Sequence, residues 1–324
     1  MKPNLTVKIG GCELNNPVMV ASGTFGYAEE FNNFLNLNKL GAVVSKTITV
    51  NPRQGNLPPR TCETPSGMIN SIGLENPGVE VFLKEKLPVL KKAGVPIIVS
   101  IASEGGPEEF VVLAKKLDKI SYVAAIELNI SCPNVKAPQN LSAPAKDWQL
   151  GTGNWKLLIS QDPQATFDLV KAVRKVTHKT LITKLSPNVT DIAQIAIAAE
   201  SAGSDALALI NTLQGMSIDV SARRAKIAMG VGGLSGPAIR PIAVRMVWEV
   251  YQKVSIPIIG MGGIMDTESA LEFFLAGATA ISVGTANFVN PGISVEIIEG
   301  IKKYLKANNV NSISELTGTI KCVI

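Results

Sequence analysis

The residues best suited to chemistry sit where apolar runs stop. Glu127-Leu128-Asn129-Ile130-Ser131-Cys132-Pro133-Asn134 carries a β-like run into a polar turn and sets the thiol of Cys132 just past its end. A thiol, with an ordinary pKa of about 8.5, abstracts a proton when its surroundings favour the thiolate. The plainer alternative is a cysteine used as a small buried hydrophobe. This run ends on Asn129, other apolar runs end in the same manner on Ser22, Lys46, Ser100, Lys184 and Asn211, and two end in glycine, at Gly262-Gly263 and at Gly284-Thr285. Singly, each has a dull explanation: lysines snorkel, asparagines cap turns and glycine pairs turn the chain. Two lysines, two asparagines and a cysteine gathered at one place imply a polar ligand, because polar groups are costly to bury without one. The glycine turns let a phosphate approach backbone N–H groups, so a phosphorylated cofactor or substrate is expected. Histidine catalysis is not expected: His178, the chain's one histidine, falls at the end of a helical stretch, away from these run ends.

These residues need a frame that brings run ends together. Short, nearly continuous apolar runs occur at 18–22, 42–46, 95–101, 123–129, 181–185, 205–211, 256–260 and 279–284, each followed by a stretch of helical periodicity. Eight such units predict an α/β fold, a single-domain (β/α)8 barrel spanning 1–324, whose active site lies at the C-terminal ends of its strands. A hairpin over 5–14, turning at Gly10-Gly11, is expected to close the bottom. Asp162-Pro163, Thr190-Asp191, Gly236-Pro237, Asp266-Thr267 and Asn290-Pro291 mark helix starts. Connections 47–77 and 133–162 are long and read as binding loops or lids. A doubly wound open sheet is the alternative, but residues 21–26 give no G-x-G-x-x-G after the first strand.

Composition narrows the function further. The chain has 324 residues, 46% of them hydrophobic, 18% charged and 28 glycine, which suits a compact enzyme with a large core. A net charge of +5, scattered without basic runs, argues against nucleic acid. The four cysteines, Cys12, Cys62, Cys132 and Cys322, have no C-x-x-C spacing, so neither a disulfide framework nor a metal or iron–sulfur site is expected within the chain. Nothing reads as a signal core or a membrane span, and a cytoplasmic location is expected.

The chain resembles the dihydroorotate dehydrogenases, specifically the class 1B catalytic subunit, from near its start to about Ile298. The likeness is carried by Ala21-Ser22-Gly23, Ser66-Gly67-Met68-Ile69-Asn70-Ser71-Ile72-Gly73-Leu74, the run from Glu127 to Lys136, Lys184-Leu185-Ser186-Pro187-Asn188-Val189-Thr190-Asp191, Ile210-Asn211-Thr212, Gly232-Gly233-Leu234-Ser235-Gly236-Pro237, the run from Ile259 to Ile264, and that from Val283 to Asn290. The resemblance implies an FMN-containing barrel that oxidises dihydroorotate to orotate in pyrimidine synthesis. It further implies a homodimer, assembled as a heterotetramer with a second subunit whose FAD and 2Fe–2S cluster pass electrons to NAD+. Residue by residue, Cys132 is the implied base for the C5 proton while the C6 hydride goes to the flavin. Lys184 lies at the flavin's pyrimidine edge, where a lysine stabilises negative charge as the ring is reduced. Lys46 and Asn129 touch both flavin and substrate. Asn70, Ser71, Ile72, Gly73, Leu74, Asn211 and Thr212 complete the substrate site, and Ser22, Thr47, Ser100, Ile210, Gly236, Gly262, Gly263, Gly284 and Thr285 the FMN site.

The chain departs from that family in two places. Ser100 stands where the family usually has asparagine, and it is expected to reach the flavin through a bridging water. An insertion over 137–161, with Trp148 and Trp155, is expected either to close over the mouth as a lid or to anchor on the barrel rim or a partner chain. Two other functions fit the same barrel. A partner-free enzyme using fumarate, or a related pyrimidine reductase, would differ in electron acceptor. A flavin-free phosphosugar lyase or isomerase would need a Schiff-base lysine or a carboxylate pair.

Overall fold

The structure is a computed structural model that describes residues 3–130 and 159–321. Eight parallel strands close into a barrel: Val18–Val20, Ala42–Val44, Ile97–Ile101, Val123–Asn129, Thr180–Lys184, Ala206–Leu209, Ile258–Gly260 and Ala280–Val283, called here the first to the eighth. Each pairs with the next in chain order and the eighth returns to the first through Ile281↔Val18 and Val283↔Val20. Seven of the eight sequence-read runs contain a barrel strand, trimmed by a residue or more at most ends, and the fifth strand is displaced one residue toward the N-terminus from its run, 181–185. They were readable because their residues are buried on both faces almost without exception.

The outer layer follows the cap signals for the most part. Asp162 accepts from the N–H groups of Gln164 and Ala165 and opens Pro163–Arg174. Asp191 opens Ile192–Ser201 in the same way, and Asp266 forms a capping box with Ser269 at the start of Thr267–Ala276. Pro237 begins a 3-10 turn, Pro237–Ile239, that leads into the helix Arg240–Tyr251. The last helix begins later than Asn290-Pro291 suggests, at Ile293; the Asn290 side chain instead accepts from the Gly292 N–H and ties down the turn before it.

Two expectations need correction. No α-helix follows the first strand; residues 21–41 form two 3-10 turns, Glu29–Phe31 and Leu37–Lys39. Glycines and asparagines (Gly23, Gly26, Asn32, Asn33, Asn36, Asn38) break the stretch, and the Asn36 side chain accepts from the Asn38 N–H to set the second turn. Connection 47–77 is also not a plain loop. It contains the hairpin Thr61–Thr64/Gly67–Asn70, which joins Val231–Ser235 and Leu213–Met216 in a four-stranded antiparallel sheet. That sheet stands over the C-terminal ends of the barrel strands and walls the cavity described below.

The opposite end is closed as expected. Val7–Ile9 and Cys12–Leu14 form an antiparallel hairpin, and the Gly11 N–H donates to Thr180 Oγ1 at the start of the fifth strand (3.0 Å). His178 lies at this end, exposed. Its backbone N–H and the Thr177 hydroxyl both donate to Asp118, holding that carboxyl below its ordinary pKa.

Candidate active site

A cavity of about 1140 Å³ opens at the C-terminal ends of the barrel strands, beneath the antiparallel sheet. It is lined by Ser22, Lys46, Thr47, Asn70, Ile72, Gly73, Leu74, Asn129, Lys184, Ile210, Asn211, Thr212, Gly236, Gly262, Gly263, Gly284 and Thr285. The barrel and the sheet above it explain the convergence, since residues from well-separated parts of the sequence end barrel strands at one mouth or lie on the sheet over it. Two sequence-read residues do not line it. Ser71 is buried behind the wall, and Ser100, fully buried, faces Glu127 and Thr47 instead of the cavity. The Ser100 hydroxyl bonds Thr47 Oγ1 at 2.9 Å and Glu127 Oε1 at 2.7 Å. Cys132, Trp148 and Trp155 lie outside the described residues. Of the insertion, only its end is described: Ile159–Gln161 is a 3-10 turn, and Gln161 Nε2 donates to the carbonyl of Asn188 (2.9 Å).

The two cavity lysines sit in different surroundings. Lys184 Nζ, on a side chain only 6% exposed, donates to Ser22 Oγ (3.3 Å) and lies 3.9 Å from Glu127 Oε1. Lys46 follows the second strand, its N–H donating to the Gly26 carbonyl. Burial pushes the Lys46 ammonium below its ordinary pKa, and the nearby carboxylates of Glu75 and Glu30 offset part of that shift. A lysine perturbed by burial in a cleft is a candidate for binding an anion or handling charge.

The remaining walls are held from behind. Asn70 Nδ2 donates to the Gly233 carbonyl across the antiparallel sheet (3.3 Å). The following turn is pinned by Arg53 Nε to the Gly73 carbonyl and by Asn56 Nδ2 to the Ser71 carbonyl. Thr212 N–H donates to Asn211 Oδ1 (2.8 Å), while Asn188 Nδ2 donates to the Thr212 carbonyl and Asn188 Oδ1 accepts from the Gln214 N–H. Sequence reading assigned no role to Asn188, Ser235 or Glu127. The one available signal was Glu127, a carboxylate inside the otherwise apolar run Ala124-Ala125-Ile126-Glu127-Leu128.

A model of the family described as dihydroorotate dehydrogenase matches residues 4–150 and 151–305. The chain belongs to the dihydroorotate dehydrogenase family. Relatives named dihydroorotate dehydrogenase B (NAD(+)), catalytic subunit, are similar over nearly the whole chain. That of Thermoanaerobacter pseudethanolicus is 49% identical over 318 residues, covering 98% of this chain and 99% of its own. Those of Geotalea daltonii and Caldicellulosiruptor saccharolyticus are each 50% identical, over 320 and 317 residues, covering 99% and 98% of this chain and 99% of their own.

Dihydroorotate dehydrogenases are flavin-dependent, and the cavity fits such a group. A Cβ at Gly284 would have only Ala21 Cβ within 4 Å, at 3.8 Å, and one at Gly23 would meet nothing, so both glycines leave space open beside the eighth and first strands. Gly262 and Gly263 have φ of 127° and 76°, in the region that side chains disfavour, and turn backbone toward the same space. Ser282 Oγ, on the cavity wall and buried, has no hydrogen-bond partner among the described residues. Open glycine backbone, a buried lysine and an orphaned hydroxyl suit a phosphorylated ligand with a polar ring.

Proposed function

We propose that this chain oxidises (S)-dihydroorotate to orotate in pyrimidine biosynthesis, as the FMN-bearing catalytic subunit of an NAD+-linked dihydroorotate dehydrogenase. The observation that carries the reading is the convergence of Lys46, Asn129, Lys184 and Asn211 with the glycine turns of Gly262, Gly263 and Gly284 on one cavity, in a chain about half identical to such subunits along its length. Ser22, Thr47, Ile210, Gly236, Gly262, Gly263, Gly284 and Thr285 would hold the flavin, with Lys184 at its ring. Bound there, the flavin supplies an acceptor for the hydride that leaves C6 of dihydroorotate.

The protein's own groups do the rest. Cys132, as thiolate, takes the proton from C5, so that the C5–H pair becomes the C5=C6 double bond as hydride departs. Lys46 and the turn from Asn70 to Leu74 grip the substrate carboxylate, and Asn129, Asn211 and Thr212 meet the ring amides. Preorganised donors of this kind raise the rate by orientation as much as by charge.

Four cysteines scattered along the sequence supply no iron–sulfur relay. A partner subunit carrying FAD and a 2Fe–2S cluster is therefore the route to NAD+, in a heterotetramer built on a homodimer of this chain in the cytoplasm, each chain folding as one domain. The relatives' name, which includes NAD(+) and the words catalytic subunit, supports this over a fumarate-linked enzyme. The test is turnover by the purified chain with NAD+, fumarate and an artificial dye in parallel. Dye-linked turnover without NAD+ reduction is expected; rapid NAD+ reduction by the chain alone would remove the need for the partner, and rapid fumarate turnover would replace the reading with the partner-free one.

A further inference from the structure

Below the cavity floor lies a buried carboxylate that no step above uses. Glu127 belongs to the fourth barrel strand, two residues before Asn129, so both side chains point into the barrel, one layer apart. In register, Asn129 pairs with Lys184 of the fifth strand, and Glu127 with Ser100 of the third. Glu127 is thus the layer beneath the site: its side chain is 3% exposed, it accepts from Ser100 Oγ at 2.7 Å and stands 3.9 Å from Lys184 Nζ.

Counting protons along this layer fixes a direction. Ser100 Oγ donates its single hydroxyl proton to Glu127 Oε1. The contact between Thr47 Oγ1 and Ser100 Oγ, 2.9 Å, must then be donated by Thr47. Having given its proton away, Thr47 oxygen can only accept, and it does so from Asn129 Nδ2 at 3.2 Å. That orients the Asn129 amide, whose Oδ1 accepts from Asn211 Nδ2 at 3.4 Å. At its far end the chain meets a second anchor that agrees with it, Asn211 Oδ1 accepting from the Thr212 N–H.

We propose that Glu127 is a positioning residue: its carboxylate sets the donor–acceptor order of the chain Ser100, Thr47, Asn129, Asn211, and offsets the charge of Lys184 from below. This rests on the function proposed above, and it gives Ser100 a purpose, since a hydroxyl can accept from Thr47 and donate to Glu127 through one atom. Two variants separate the halves of the role. Ser100→Ala cuts the chain and keeps the charge; Glu127→Gln removes the charge and, through its amide, can reverse the chain.

The experiment uses FMN-loaded protein and reads two quantities besides turnover: orotate Kd from the flavin absorbance change, and the flavin midpoint potential. Ser100→Ala is expected to weaken orotate by about tenfold, the scale of one well-placed hydrogen bond, with the potential unmoved. Glu127→Gln is expected to weaken orotate similarly. It should also raise the potential by an amount equal to about tenfold in the oxidised-to-reduced ratio, about 30 mV for a two-electron couple, because Lys184 is left unopposed. A structural role alone would not move the potential. Wild-type orotate affinity in Ser100→Ala, or a wild-type potential in Glu127→Gln, would overturn the proposal. Wild-type protein that bound neither flavin nor orotate would overturn the functional reading and this with it. If Glu127→Gln does not fold, Glu127→Asp takes its place: a carboxylate too short for Ser100 should loosen orotate about tenfold at an unchanged potential, and unchanged affinity would overturn the proposal.

Discussion

Lys46 and Cys132 are expected to give the reaction two opposed pH limbs. The Lys46 ammonium is the form that binds a carboxylate, and burial has lowered its pKa from the ordinary 10.5. Affinity for orotate should therefore be present at neutral pH and be lost as pH rises, beginning below the usual lysine range. Lys46→Met should abolish that alkaline loss along with most of the affinity. An orotate Kd that stays flat to pH 10.5 in the wild type would contradict the assignment. The base acts in the other sense: flavin reduction should accelerate as pH rises through a thiol ionisation. Cys132→Ala should lose about 10²–10⁴-fold of that rate while still binding orotate, and near wild-type reduction by the alanine variant would rule the thiol out as base.

At the scale of elements, the glycine after the eighth strand, Gly284, is expected to be chosen for the space it leaves. Gly284→Val would put branched carbon into the cavity, where a Cβ meets only Ala21. The variant should fold with an unchanged melting temperature and purify with most of its flavin missing; full flavin occupancy would show that the space is not used. The barrel strands were legible in the sequence because burial on both faces writes them as unbroken apolar runs. The sheet above the cavity was not legible, for a physical reason. Thr61–Thr64 and Leu213–Met216 alternate between half-buried and exposed, hold glycine and polar residues, and pair with segments far off in sequence, as in Asn70↔Gly233. The helix expected after the first strand failed for local reasons, its asparagines and glycines favouring turns. At the site, strand-end residues were found by position, while Glu127 was passed over because it lies inside a strand. The partners of Ser100, Thr47 and Glu127, were not legible either, because a strand end says where a residue is and not which neighbour it faces.

Among the described residues, the molecule is a barrel with one end closed by a hairpin and an antiparallel sheet standing over the cavity at the other. No helix of the described residues is long and apolar enough to cross a membrane. The account stands or falls on whether dihydroorotate delivers its electrons to a flavin that this chain holds. The direct measurement is anaerobic titration of the purified chain with dihydroorotate, following flavin absorbance and orotate together. Bleaching of the flavin in step with about one orotate per chain is expected, with no partner subunit present. A chain that carries no flavin and cannot be reconstituted with FMN, or whose flavin stays oxidised under excess dihydroorotate, would contradict the account.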